Sequence, residues 1–389
     1  MNDLEQLLAA REIVVTCGAG GVGKTTTAAA LAALAATELG GRVLVLTVDP
    51  ARRLADAMGV GGLGNEAVRV PNEAFAASGA RPRGELWAAM LDTKQGWDDL
   101  VRRHAPDPAT RDAILANPLY DTLTGRMVQS HDYVAMERLH ELHASGEWDL
   151  IVVDTPPSRH AIDFLEAPGR MADFFTSRFL RILVAPSRHR LIGMASRPFY
   201  AIADKVLGAA FLRDIAEFFG LLESMYDGFV ERARAVERVL SDERTAFVVV
   251  TTLSAVPVRE AMFFVDALRE RHLQLGAIVL NKVLPPGLLD VRQAALAARL
   301  AQDAPALASR VCSEEPMSDE ASADDVEMVA RVLAEVGDSF GRLRVVAQRE
   351  AVQRAALEAL GHPVVAVPQL DHDVVDLASL LVVGTALRG

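Results

Sequence analysis

The chain has 389 residues, a formal net charge of −12 and 51% apolar residues. An acidic chain repels the phosphate backbone of nucleic acids, so this charge argues against a DNA or RNA partner. Met1–Glu12 lacks the basic start and apolar run of a signal peptide, and the apolar stretch Thr25–Thr37 is too short to span a bilayer. We therefore expect a cytoplasmic protein without a transmembrane segment, long enough for one large α/β domain with insertions.

Short apolar runs rich in β-branched residues alternate with helical patterns along the chain. Nearly continuous apolar runs are typical of parallel strands that are covered by helices on both faces. The alternation predicts a doubly wound α/β fold with a mainly parallel sheet, formed by residues 1–389 as a single domain. The predicted strands are Ile13–Cys17, Val43–Val48, Leu86–Leu91, Leu150–Val153, Phe247–Thr251, Ala277–Leu280 and Val364–Val367.

Two intervals between predicted strands, 94–148 and 158–243, are too long for simple crossovers, and we expect them to form an inserted helical subdomain. The second interval carries apolar residues at helical spacing. These residues have two interpretations: a groove that accepts a hydrophobic client, or the core of the subdomain itself, which the sequence favours. The spaced residues are Phe211, Ile215, Phe218, Leu222, Met225 and Phe229.

A glycine-rich segment follows the first predicted strand and precedes a predicted helix. It fits the phosphate-loop pattern G-x-x-x-x-G-K-S/T. Glycines let backbone N–H groups turn toward a phosphate, Lys24 can reach the β- and γ-phosphates, and Thr25 offers a hydroxyl to Mg²⁺. The segment therefore predicts a site for ATP and Mg²⁺. Its contacts with the nucleotide are predicted for Gly18, Gly20, Gly21, Val22, Gly23, Lys24, Thr25 and Thr26.

Two aspartates, Asp49 and Asp154, follow predicted strands. The carboxyl ends of parallel strands line the ligand crevice at the same edge of the sheet as the phosphate loop. Asp154 is placed to hold Mg²⁺ through water, and Asp49 to orient or activate the attacking water, which makes Asp49 and Lys24 the predicted catalytic residues. An aspartate after a strand can also be a helix cap, but beside a phosphate loop we favour the functional interpretation.

Three segments, GGVGKTT, DPARRL and VVDTPPSRHAIDFLEAP, resemble those of the anion-transporting ATPase family. That family of deviant phosphate-loop ATPases includes the arsenite-pump ATPase and the ATPase that delivers tail-anchored membrane proteins. The resemblance implies ATP hydrolysis by a dimer, with Asp49 in the first switch segment and Asp154–Pro157 at the start of the second. It also implies that Asn281 contacts the adenine edge and that Pro368 packs near the ring. From the residue type alone, Asn281 is a turn or cap residue.

The chain departs from the family pattern in three ways. Ala19 replaces the signature lysine that, in the family, reaches across a dimer to the partner's nucleotide. The zinc-binding C-x-x-C pair of the targeting ATPase is absent, since Cys312 stands alone, and the chain has one ATPase half where the pump ATPase has two. We expect a homodimer, or a heterodimer in which a lysine-bearing paralogue supplies the missing cation.

Three functions remain open. The first is an ATPase whose cycle switches a dimer and a helical subdomain that handles a hydrophobic client or a membrane-protein partner. The second is a slow or non-hydrolysing regulatory subunit of a heterodimer. The third is the energy-coupling subunit of an arsenite-type anion efflux pump. Arsenite prefers several thiolates, whereas Cys17 is expected to be a buried hydrophobe and Cys312 has no second thiol near it in sequence, which argues against a direct arsenite site.

Overall fold

A computed structural model describes residues 3–48, 53–120, 124, 128–155, 161–178, 180, 209–314 and 323–388. Its strands are β1 Ile13–Cys17, β2 Arg42–Thr47, β3 Val68–Arg69, β4 Glu85–Met90, β5 Leu150–Asp154, β6 Thr245–Thr251, β7 Leu275–Val283 and β8 Val364–Pro368. They form one eight-stranded sheet in the order β3-β4-β2-β5-β1-β6-β7-β8. All neighbours pair in parallel except β3 and β4, so the predicted mainly parallel α/β fold is confirmed.

Helices connect and cover the strands. The described helices are α1 Asp3–Ala10, α2 Lys24–Glu38, α3 Arg53–Met58, α4 Asn72–Ala77, α5 Thr93–His104, α6 Pro108–Leu115, α7 Val128–Ala144, α8 Ala161–Thr176, α9 Ala209–Leu222, α10 Tyr226–Ser241, α11 Ala255–Glu270, α12 Val291–Gln302, α13 Ala304–Glu314, α14 Ala323–Glu358 and α15 Leu377–Arg388. Short 3₁₀ turns lie at Glu223–Met225 and Pro286–Leu289. Within these ranges, none of the helices is long and apolar enough to cross a bilayer.

Helices cover the sheet on both faces, and successive strand residues point to opposite sides, so each strand contributes to two apolar clusters. In β1, Val14 belongs to one apolar cluster, while Ile13 and Val15 belong to the other. On the face of Val14, the alanine-rich helix α2 is buried over most of its length and packs against α15. Because both faces are buried, the strand sequences are continuous apolar runs. The packing of α2 on the sheet holds the first turn of this helix at the sheet edge.

The aromatic residues of the helices before β6 pack on one another. Phe229 is fully buried, stacks on Phe175 with ring centroids 4.6 Å apart, and contacts Trp97 and Tyr133 at 6.1 Å. Phe218 is also buried in this cluster. These contacts support the core interpretation of the aromatic stripe within the described residues.

An arm of three helices, α12, α13 and α14, lies between β7 and β8. The backbone N–H of Leu284, just past the end of β7, donates to a carboxylate oxygen of Glu350 at 3.5 Å. After Glu350, α14 runs back along the sheet to the start of β8, because Val364 pairs with Ile278. Residues 323–349 of α14 precede this contact and span about 40 Å along the helix axis, where α12 and α13 pack against them.

The packing inside the arm makes a prediction about two glycines of α14. A β-carbon on Gly337 would lie 2.4 Å from the carbonyl oxygen of Ala297 in α12, whereas a β-carbon on Gly341 would meet nothing within 4 Å. Gly337→Ala should force α12 and α14 apart and cost about 1–3 kcal/mol, more than the roughly 1 kcal/mol that alanine adds to a helix. The matched control Gly341→Ala should gain stability.

Thermal unfolding and amide hydrogen exchange of α14 measure both effects. The expected outcome is a lower Tm and faster exchange for Gly337→Ala, and a higher Tm for Gly341→Ala. Equal shifts of the same sign in the two variants would show that α12 and α14 are not packed as described.

Candidate functional site

The candidate site lies where three strands end side by side in the middle of the sheet. Strand β1 is flanked by β5 and β6, and Thr16 pairs with Asp154 in the register of β1 and β5. Asp154 also pairs with Thr47 of β2. The phosphate loop, Gly18–Gly23, leaves β1 at this edge and leads into α2 at Lys24. The predicted neighbourhood of the loop and Asp154 is therefore present in the fold.

Two glycines of the loop are required by the atoms around them. Gly18 has φ 146°, and a β-carbon there would lie 2.1 Å from the carbonyl oxygen of Val250 in β6. Gly23 has φ 95°, and a β-carbon there would lie 2.2 Å from the side-chain amide of Asn281. Both positions combine a left-handed or similarly restricted backbone with a close neighbour, so the loop shape excludes other residues there.

Lys24 begins α2 and is buried, with its ammonium group turned back over the loop. The ammonium donates to the carbonyl oxygens of Gly18 at 3.1 Å and Ala19 at 2.9 Å. Gly20 and Gly21 are exposed at the tip of the loop, and Thr25 is partly exposed in the first turn of α2. A cation and the positive end of a helix thus meet at an exposed backbone loop, which is an arrangement that binds phosphate.

The remaining predicted loop residues differ in exposure. Val22 is buried and belongs to the apolar cluster under α2, whereas Thr26 is half-buried beside Thr25. The side chain of Val22 therefore anchors the loop on the sheet, and its contribution to a phosphate would come from its backbone. Ala19 is buried in the same cluster.

Hydroxyl groups join the ends of β1, β2 and β5. The hydroxyl of Thr47 donates to a carboxylate oxygen of the fully buried Asp154 at 2.9 Å. The hydroxyl of Thr155 donates to the carbonyl oxygen of Thr16 at 2.8 Å, and the hydroxyl of Thr16 donates to the carbonyl oxygen of Val153 at 3.0 Å. The bond from Thr47 orients the Asp154 carboxylate, and the other two tie the ends of β1 and β5 together. A carboxylate and the Thr25 hydroxyl are hard oxygen ligands, which fit Mg²⁺.

Asn281 braces the phosphate loop from β7. Its amide nitrogen donates to the carbonyl oxygen of Val22 at 2.8 Å, and its amide oxygen accepts from the backbone N–H of Lys282 at 2.9 Å. Lys282 has a positive φ of 58°, and the pairing of β7 with β8 shifts register between Leu280 and Val283, as at a β-bulge. Pro368 is exposed at the end of β8, opposite Val283 in the register of β7 and β8. The predicted contacts of Asn281 and Pro368 with adenine remain predictions.

The bracing role of Asn281 was missed by sequence reasoning, because no local pattern links position 281 to the loop. Asp49 and Pro157 lie outside the described residues, so their predicted roles also remain predictions. Cys17 is buried, and its thiol lies 3.5 Å from the carbonyl oxygen of Val248. Burial raises the pKa of this thiol strongly, while the nearby Lys24 lowers it less, so Cys17 is a neutral core residue as expected.

A phosphate loop between a central parallel strand and a buried helix, with an aspartate at the end of the adjacent strand, defines a phosphate-loop NTPase. A family model described as "Anion-transporting ATPase" matches residues 11–305. The chain belongs to the anion-transporting ATPase family.

Three relatives illustrate the range of the similarity. The ATPase GET3 of Malassezia globosa is 27% identical over 278 residues, which are 69% of this chain and 72% of that protein. An uncharacterised protein of Streptomyces coelicolor is 29% identical over 276 residues, 71% of this chain and 63% of its own length. The ATPase ARSA1 of Chlamydomonas reinhardtii is 27% identical over 303 residues, but the match spans only 36% of that protein.

The bond from Asn281 to the loop makes a prediction about nucleotide affinity. Asn281→Asp replaces the donor with a carboxylate that faces the carbonyl oxygen of Val22 and adds negative charge beside the phosphate site. Loss of this bond should weaken the affinity for Mg·ATP about tenfold or more. Asn281→Ala removes the donor without adding a charge and should cost less.

Isothermal titration calorimetry with Mg·ATP measures the affinity of both variants, and thermal unfolding checks that they are folded. Wild-type affinity in a folded Asn281→Asp protein would show that the bond seen here does not hold the loop in its binding shape.

Proposed function

We propose that this chain binds Mg·ATP at the phosphate loop and hydrolyses it to ADP and phosphate. The observation that carries the proposal is the buried ammonium of Lys24, which is held over a complete phosphate loop at the same sheet edge as Asp154. A buried cation that lies over a phosphate loop and beside a helix N-terminus is suited to receive the oxygens of a phosphate chain.

Each residue of the site has a distinct task in this proposal. The loop N–H groups and the N-terminus of α2 bind the phosphates, and Lys24 stabilises negative charge on the β- and γ-phosphates. Thr25 and Asp154 would hold Mg²⁺, Asp154 through water; the ion, when bound, neutralises further charge on the phosphates. Asp49 would orient the attacking water. Asn281 and Pro368 would flank the adenine.

The site also offers a route from nucleotide to helices. The hydroxyl of Thr47 donates a hydrogen bond to Asp154, and Thr47 lies two residues before Asp49 in the chain. This bond therefore joins the starts of the two segments that we propose as switches. Downstream of Asp154 the chain leads into α8, whose Phe175 stacks on Phe229 of α10. We propose that nucleotide turnover repositions this helical subdomain, inserted at 94–148 and 158–243, which in turn handles a hydrophobic client or a membrane-protein partner.

Lys24→Ala should abolish the binding of Mg·ATP, because it removes the cation that faces the phosphates. Asp49→Asn should retain binding and reduce turnover at least about tenfold, since the proposed role of Asp49 is confined to the attacking water. Lys94→Ala serves as the matched control, since Lys94 is an exposed lysine on α5 that pairs with Asp98. Calorimetry measures binding, and phosphate release measures turnover.

The proposed site is refuted if folded Lys24→Ala binds and hydrolyses ATP as the wild type does. Unchanged turnover in Asp49→Asn alone would remove Asp49 from the mechanism and leave the binding site intact. The Lys24→Ala variant thus tests the nucleotide site, and the Asp49→Asn variant tests the catalytic role of Asp49 separately.

A second candidate, a slow subunit of a heterodimer, is supported by Ala19. Phosphoryl transfer spreads negative charge over the γ-phosphate oxygens, and cations placed there accelerate it. In a homodimer that pairs the nucleotide faces, neither site receives a lysine from position 19. In a heterodimer with a lysine-bearing paralogue, the site on this chain receives the partner's lysine, while the partner's site faces Ala19 and works slowly.

Ala19→Lys tests the need for this cation, with Ala19→Met as a control of similar size and no charge. If the chain pairs with itself through the nucleotide faces, Ala19→Lys should raise the turnover at least about tenfold, and Ala19→Met should not. Phosphate release is measured at protein concentrations that favour pairing. Rapid hydrolysis by the wild type, unchanged in Ala19→Lys, would show that the missing lysine does not limit this chain.

A further inference from the structure

The arm helix α14 carries an exposed apolar stripe that the ATPase site does not use. Five apolar side chains follow one another at spacings of three, four or seven residues, which places them on one face of the helix. Each is between 43% and 61% exposed. We call these five residues the stripe; they are Met328, Val332, Val336, Leu343 and Val346.

Among the described residues, the packing of the arm leaves this stripe about half exposed. The contact with α12 is made on the face of Gly337, which lies directly against Ala297 and Ala301, and the buried Ala347 lies at the border between that face and the stripe. The five stripe side chains therefore retain exposed apolar surface after the arm has packed. A contiguous row of exposed apolar side chains on a helix is typical of an interaction surface.

The charges of α14 are divided between its two halves. Residues 323–338 contain five acidic residues and one arginine, whereas residues 342–358 contain four arginines and two glutamates. The two halves meet at Glu335, Ser339 and Arg342, where Arg342 is 2.6 Å from Glu335 within the chain. A second helix with the same charge pattern, antiparallel to α14, would place its acidic half along the basic half of α14 and its basic half along the acidic half of α14.

We propose that the stripe binds the same stripe of a second copy of this chain, with the two α14 helices antiparallel and a two-fold axis at Ser339. In this arrangement Val332 faces Val346 of the other copy, and Val336 lies beside the other copy's Leu343. Glu335 lies opposite the other copy's Arg342. The contact joins two arms, needs no nucleotide, and goes beyond the proposed ATP hydrolysis.

Symmetry and charge together favour a second copy as the occupant. A two-fold interface requires that one patch be complementary to itself, and the stripe meets this requirement in both its apolar spacing and its opposed charges. A bilayer surface favours basic residues around an apolar face, whereas five acidic residues occupy the N-terminal half of α14. Helix dipoles also favour the antiparallel arrangement, because opposite partial charges then lie together.

Substitutions on and off the stripe test the interface. The wild-type chain should have twice the 41.8 kDa mass of one chain in light scattering and sedimentation, with or without ATP. The double variant Val336→Asp with Leu343→Asp should raise the dimer dissociation constant about a hundredfold or more. Val352→Asp is the matched control, since Val352 is 68% exposed on α14 and lies off the stripe. This variant should remain dimeric.

Cross-linking tests the antiparallel orientation. In a Cys312→Ser background, Ser339→Cys should form a disulfide-linked dimer, because the two copies of position 339 meet at the two-fold axis. Met328→Cys should not, because the two copies of position 328 would lie roughly 33 Å apart along the helices. Efficient linkage through position 328 would indicate parallel helices and overturn the proposal.

Two further outcomes also overturn it. One is a wild-type chain that remains a monomer throughout the measured concentrations, including a monomer that binds lipid vesicles through the stripe. The other is a dimer that persists, in the absence of nucleotide, in Val336→Asp with Leu343→Asp. Both results concern the oligomeric state, so they do not bear on the proposed ATPase activity. Conversely, a loss of ATP binding would not bear on the contact between the two α14 helices.

Discussion

The close approach of Gly18 to the backbone of β6 is the constraint on which the site depends. A β-carbon would lie 2.1 Å from the carbonyl oxygen of Val250, so the loop can leave β1 in this direction only with glycine. At its other end the loop is held by the hydrogen bond from the Asn281 amide to the carbonyl oxygen of Val22, and a β-carbon on Gly23 would collide with that amide. The loop therefore contacts two neighbouring strands, β6 and β7, and these contacts fix the positions of its backbone N–H groups.

The same edge gathers the charged groups of the site. Burial on both faces fixes the strand register, and the register places Asp154 beside Thr16 and Thr47. The hydroxyl of Thr47 then holds the carboxylate in one orientation. Consequently the negative charge that suits Mg²⁺ and the positive charge of Lys24 lie at one edge, on separate elements that the sheet holds in place.

The sequence predicted much of this arrangement, because buried parallel strands and phosphate loops have strong local patterns. The apolar runs that include Val14 and Val248 lie in strands, and Lys24 begins the helix expected of it. The strand Val68–Arg69 was missed because it has two exposed residues and no apolar run. The contact of Asn281 with Val22 was missed because it joins residues 259 positions apart, and only the fold brings them together.

The arm shows a different limit of sequence reasoning. Within its helix α14, the burial of Gly337 and the exposure of Val336 depend on which face meets α12. Helical spacing alone does not distinguish a face that packs within the chain from one that remains exposed. The phosphate loop escapes this ambiguity because its glycines, lysine and threonine are needed for one chemistry.

Amide hydrogen exchange with and without Mg·ATP tests the central claim most directly, because it locates nucleotide binding along the chain. The structure predicts slower exchange, on adding Mg·ATP, in the phosphate loop Gly18–Thr26 and in the segment that begins at Asn281. Exchange in the exposed arm around Val336 should not change. Unaltered exchange at Gly18–Thr26 under saturating Mg·ATP, or protection confined to the arm, would contradict the assignment of the nucleotide site.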